Sequence, residues 1–171
     1  IPITQALRAF PPRPDRASVD PTQKFGRAAV AGRIMLRRDA GKKLMFLTLR
    51  DRTGQMQIAL NAAMLSPERM EELRKTISSW DLMAFEGELS FSNAGEPTLW
   101  VSAAEFMGKS LRAAPDKVEG VSDKETLYRR RYLDLICNND SMNRFLTRAE
   151  IISSLRMALA IFSPRANASM P

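Results

Sequence analysis

The chain has 171 residues, room for one domain of ordinary size or one domain plus part of another. At 44% hydrophobic and 26% charged it has a globular composition, and its net charge of +7 with a pI near 10.1 favours polyanionic partners. The absence of histidine, together with a single cysteine, Cys137, excludes an internal disulfide, a zinc site and histidine-based acid–base catalysis.

A reducing cytoplasm is the expected setting. No apolar run approaches the ~20 residues that span a bilayer, so no membrane role is expected. The first residue is Ile1 rather than Met, which suggests that a segment is missing before it. Residues 1–24 contain Pro2, Pro11, Pro12, Pro14 and Pro21 without periodicity, and are expected to form a flexible leader.

Three strand candidates follow. Ala29–Arg37 alternates around Val30, Gly32, Ile34 and Leu36; Leu44–Leu49 is apolar; and the turn Arg50–Gly54 leads into Gln55–Leu60. Ser66 and Pro67 then read as N-cap and first residue of a helix carrying Met70, Leu73 and Ile77 at helical spacing. Trp80–Phe91 and Pro97–Phe106 read as two further strands around the turn Ser92–Gly95. Three strands, a helix and two strands in so short a span predict a mainly β domain with an inserted helix: the five-stranded Greek-key barrel called the OB-fold, whose exposed face binds oligonucleotides. A swapped SH3-like barrel is the rival, but it lacks the helix after the third strand.

The stretch from Lys24 to Arg50 adds chemistry to that fold. It holds eight Lys or Arg residues and one acid, Asp39, with Phe46 in one strand and Gln57 in the next. A cationic sheet with an aromatic platform and an amide has what is needed to hold and read an unstacked base. Phe46 has a second reading as a core residue, because its neighbours Met45 and Leu47 leave the inner face undecided. Arg37 and Arg38 could equally be solvated charge.

Beyond the barrel, residues 108–122 read as a connector. Ser122 and Glu125 have the spacing of a capping box, opening a helix through Tyr128-Arg129-Arg130-Arg131-Tyr132 to Ile136. Asn138–Ser141 breaks it, and a second helix is expected from about Met142 to Phe162, with Ile152, Leu155, Leu159 and Phe162 on one face. The triple arginine reads as a clamp on RNA or as partners for acids at a domain junction, and Cys137 as a packing residue. Two such helices cannot complete a domain by themselves.

Taken in order, VAGRI (30–34), RRDAGKK (37–43), FLTLRDRTGQMQ (46–57), KSLRAAPDKVEGVSDKE (109–125), LYRRRYLDLICNND (127–140) and FLTRAEIISSLR (145–156) closely resemble bacterial lysyl-tRNA synthetase, a class II aminoacyl-tRNA synthetase. The resemblance spans roughly Ala29 to Phe162, with YRRRYLDLI its most specific block. It implies an anticodon-binding OB-fold domain at 25–107 and a truncated start of the class II catalytic domain at 123–171. Its anticodon pattern of Arg, Phe, Gln and Glu falls on Arg38, Phe46, Gln57 and Glu96, with Arg37 and Arg33 as further nucleic-acid contacts. Pro97 follows Glu96 where the family usually has another residue.

Phe46 would stack a base, while Gln57 and Arg38 would bond its Watson–Crick edge, which suits the central uridine of a lysine anticodon. The family's second and third signature motifs, which grip ATP, are absent from these residues. The chain alone is therefore expected to be inactive as a ligase, with no catalytic residue, metal or cofactor of its own; ATP and Mg are expected only for a full-length member. The expected partner is a lysine tRNA, and family members are homodimers. The alternative is a stand-alone OB module that binds single-stranded nucleic acid without ligase activity.

Overall fold

The computed structural model describes residues 1–12, 20, 23–112 and 123–162, with side chains as far as Ala160. The chain divides into two units, Ile1–Arg112 and Ala113–Pro171. The first contains β1 (Arg27–Asp39), β2 (Leu44–Arg50), β3 (Gln55–Asn61), β4 (Leu82–Phe91) and β5 (Pro97–Gly108). These strands close into a barrel in the order β1-β2-β3-β5-β4. Every neighbouring pair is antiparallel except β3 and β5, which run parallel. This is the expected five-stranded barrel, with each strand end within two residues of the sequence-based range.

Alternation decides which side chains fill it. Met45, Leu47 and Leu49 of β2 point inward with Ile58 and Leu60 of β3, Met83, Phe85 and Leu89 of β4, and Leu99 and Val101 of β5. Removing each such side chain from water stabilises the fold by about 1.5–3 kcal/mol. The expected alternation of β1 holds only through Ile34. A bulge between Ile34 and Leu36 shifts the register, so Leu36 lies outside, 51% exposed, instead of continuing the inner row. At Gly87 the β4–β5 pair also shifts register, and a Cβ there would collide with the backbone carbonyl of Trp100.

Both barrel ends are closed by helices. The helix α2 (Pro67–Thr76) lies between β3 and β4 in sequence, capped as expected by Ser66, which accepts from the Arg69 N–H, with Pro67 in its first turn. Met70, Leu73 and Ile77 are all buried. The other end departs from the expected flexible leader. Residues Ile3–Leu7 form a short helix, α1, whose Ile3 and Ala6 are buried, while Phe10 meets Phe25 and Phe91 at 5.2 Å each. Pro2 offers no side-chain cap to α1, and Asp51 supplies one from the β2–β3 turn by accepting the Ile3 N–H at 2.8 Å. The same carboxylate accepts from the Thr53 and Gly54 N–H groups and the Thr53 hydroxyl. Burial pushes the Asp51 carboxyl up, but these hydrogen bonds outweigh it and hold the group below the usual range.

The described residues of the second unit form three helices: α3 (Lys124–Arg129), α4 (Arg131–Cys137) and α5 (Asn139–Phe162). The expected single helix across Tyr128–Ile136 is broken at Arg130, whose φ of −122° and ψ of 53° are not helical. The cap of α3 is Asp123, which accepts the Thr126 N–H at 2.8 Å, while the expected cap Ser122 lies outside the described residues. Asn138 caps α5, so that helix starts earlier than expected. Two of the three arginines pair with acids within this unit. Arg129 pairs with Glu125 at 2.8 Å, and Arg131 pairs with the buried Asp134 at 3.0 Å while lying over Tyr128 and Phe145. Cys137 is half-buried at the end of α4. Ile152, Leu155 and Leu159 are exposed on α5, and the side chain of Phe162 lies outside the described residues.

Candidate nucleic-acid interface

The outer face of the barrel is ordered by strand register into rows. One row runs Arg38, Phe46, Ala59, Trp100 and Glu88 across β1, β2, β3, β5 and β4. The next, two residues along each strand, runs Leu36, Thr48, Gln57, Thr98 and Ser90. Because Met45 and Leu47 are inside, Phe46 is outside and half-buried, and the Arg38 guanidinium lies 5.4 Å from its ring centroid. That is cation–π distance, and it places a positive charge beside an apolar plate. Lys42 and Lys43, both exposed in the β1–β2 turn, extend the charge next to it.

Gln57 is a diagonal neighbour of Phe46, ~7–8 Å away by Cα, within reach of the same base. Its amide orientation is set by hydrogen-bond chemistry. The Thr98 hydroxyl donates to the Glu96 carbonyl at 2.8 Å, and a carbonyl can only accept. The hydroxyl's single proton is therefore committed, and its oxygen accepts the Gln57 Nε2 at 3.0 Å. Gln57 Oε1 is left for a donor such as the N3–H of uridine. Glu96 enters β5 beside this pair, its N–H donating to the Ser92 hydroxyl and its carbonyl accepting the Ser92 N–H.

Arg38, Phe46 and Gln57 are thus brought together on one face and Glu96 precedes the strand that borders Gln57, whereas Arg37 and Arg33 lie elsewhere. Arg37 pairs in register with Leu47 and lies on the inner side of β1. Its Nη1 donates to the carbonyls of Arg74 and Ile77 at 2.8 and 2.7 Å, closing the C-terminal end of α2, and its guanidinium also pairs with Asp39. Arg33 keeps to the outer face but sits at the far rim opposite Arg50, donating to the Trp80 carbonyl at 2.9 Å. Two residues of the face were not singled out from the sequence. Thr98 is fully buried, and Trp100 reads as one more apolar residue of a strand.

Residues 28–106 match the family described as the OB-fold nucleic acid binding domain of the tRNA anticodon type. The barrel is therefore an OB-fold domain, a class of nucleic-acid-binding module, and over these residues it is similar to the anticodon-binding members of that class. The relatives matched over about three quarters of the chain are more particular: the lysine–tRNA ligase of Neisseria gonorrhoeae is 45% identical over 130 residues, covering 74% of this chain. That of Lactococcus lactis is 42% identical over 127 residues, and that of Streptococcus gordonii 40% over 132. The chain spans about a quarter of the length of the ligases it matches. No helix among the described residues is long and apolar enough to cross a membrane.

Proposed function

We propose that the barrel recognises the anticodon of a lysine-accepting tRNA as the binding part of a lysine–tRNA ligase acting in cytoplasmic translation. The observation that carries this is the grouping of Arg38, Phe46 and Gln57 on one outer face, with Arg38 laid over Phe46. Phe46 stacks one anticodon base, Gln57 Oε1 accepts from its Watson–Crick edge, Glu96 borders the pocket, and Arg38 adds charge toward the backbone. Arg37 and Arg33 are left out of the contact set because each guanidinium is engaged with backbone carbonyls. The ligase chemistry, with its ATP and lysine, is assigned to no residue of this chain. The exposed apolar side chains of α5 are consistent with the homodimer that the resemblance implies.

Competition binding tests the proposal. A transcript of lysine tRNA displaces a labelled anticodon stem-loop far better than poly-uridine of equal length. Equal displacement by the two would mean a general single-strand binder and would overturn the anticodon reading.

A further inference from the structure

Trp100 has the position and the chemistry of a second base platform. It lies in the same row as Phe46, one strand beyond Ala59, so the two aromatic residues flank that alanine across β2, β3 and β5. Ala59 faces outward by alternation yet is 0% exposed. The row Phe46–Ala59–Trp100 is accordingly one apolar strip, ~10 Å between the outer Cα atoms at two strand spacings. That is wide enough for two splayed nucleobases, one on each ring. Gln57 is two residues before Ala59, diagonal to both rings, so its amide serves a base on either side.

A second observation is independent of the register. The Trp100 indole Nε1 is buried and has no hydrogen-bond partner among the described residues. An indole N–H can only donate, and buried donors are nearly always paired. The N–H lies in the ring plane, so a base stacked on the ring face leaves it open, and a 2′-hydroxyl or phosphate oxygen of a nucleotide at the ring edge would satisfy it once the edge is uncovered. The acid at the end of the row does not oppose this, because Glu88 is paired with Lys24 at 2.7 Å.

We infer that Trp100 stacks the nucleotide next to the one held by Phe46, making the site a two-base platform on single-stranded RNA. This rests on the anticodon reading and adds to it a subsite and an acceptor-bearing ligand for the orphan N–H.

Tryptophan emission reads the subsite directly, since the chain has only two tryptophans, Trp80 and Trp100. Titration of Trp80→Phe with a stem-loop carrying a UUU anticodon quenches the remaining emission, and Trp100→Phe shows no comparable quench. Trp100→Ala weakens binding of the same stem-loop by about 5- to 150-fold, the range for losing one stacked base, with the salt slope unchanged because no charge is removed. Trp100→Phe restores most of that affinity. If Trp80→Phe does not fold, the comparison of the unsubstituted chain with Trp100→Phe gives the same quench difference. Wild-type affinity in Trp100→Ala with no quench at Trp100 overturns the inference, and a simultaneous loss in Phe46→Ala leaves the anticodon reading standing. Absence of stem-loop binding by the unsubstituted chain overturns both.

Discussion

Thr98→Val tests how the amide of Gln57 is held. Valine matches threonine in shape, so the fully buried site keeps its packing and loses only a hydroxyl. That hydroxyl makes two hydrogen bonds, at 2.8 Å to the Glu96 carbonyl and 3.0 Å from Gln57 Nε2. Neither partner is stranded by the change. The Glu96 carbonyl keeps the Ser92 N–H at 2.9 Å, and the Gln57 amide is only half-buried and can turn to water. The stability cost is then that of two ordinary hydrogen bonds, about 1–2 kcal/mol together, or a midpoint lowered by roughly 4–16 °C. Binding falls for a separate reason. A freed amide must be ordered again when the base arrives, which costs about 0.5–1.5 kcal/mol, roughly two- to tenfold in Kd for a uridine-centred stem-loop. A double-mutant cycle isolates this. In a Gln57→Ala background there is no amide left to orient, so Thr98→Val has no further effect on Kd, and Thr98→Ser keeps wild-type behaviour in both backgrounds. Equal losses with and without Gln57 would refute the relay, because Thr98 would then be acting through the shape of the barrel.

Four further outcomes follow from the same structure. Phe46→Ala weakens stem-loop binding by about 5- to 150-fold while lowering the melting midpoint only a few degrees, whereas Met45→Ala, one residue away but facing inward, costs about 2–5 kcal/mol by thermal or urea unfolding; a melted barrel in Phe46→Ala would make that ring core. Arg37→Ala destabilises the barrel by about 2–3 kcal/mol through lost charge-assisted bonds to the end of α2, and leaves the salt dependence of binding alone. Arg38→Ala does the reverse, weakening binding and reducing the slope of log Kd against log salt by about one if it meets a phosphate. Asp81 sets an acid limit. It is fully buried, and burial pushes its carboxyl up, but the Ser110 N–H, the Lys109 ammonium and the Ser78 N–H outweigh that and hold it below the usual range. Its stabilising contribution is therefore complete above the ordinary carboxylate value near pH 4 and disappears as pH falls through the lowered folded value. Asp81→Asn consequently melts lower than wild type at pH 7, and the two curves converge in acid; a constant gap down to pH 2 would contradict this.

What the sequence made legible was decided by period, and what it hid was decided by a break in that period. Counting by twos from Val30 and Ile34 puts Leu36 and Arg38 inside the barrel and Arg37 outside. The bulge before Leu36 inverts that assignment, because one extra residue exchanges the faces of everything after it. Two adjacent arginines of identical chemistry are thereby separated into a brace for α2 and a lid over Phe46. The ambiguity at Met45-Phe46-Leu47 had the same origin: three apolar residues in a row carry no alternation, and only pairing with β3 identifies the inner ones. The seating of α1 was hidden for a different reason, since a helix of five residues has too few turns to show a stripe and its cap, Asp51, is 48 residues from Ile3. Trp100 was invisible because a strand aromatic is ordinarily core. The binding face is thus a product of pairing rather than of composition: shift β1 by one residue and Arg38 leaves Phe46, although no residue of the motif has changed.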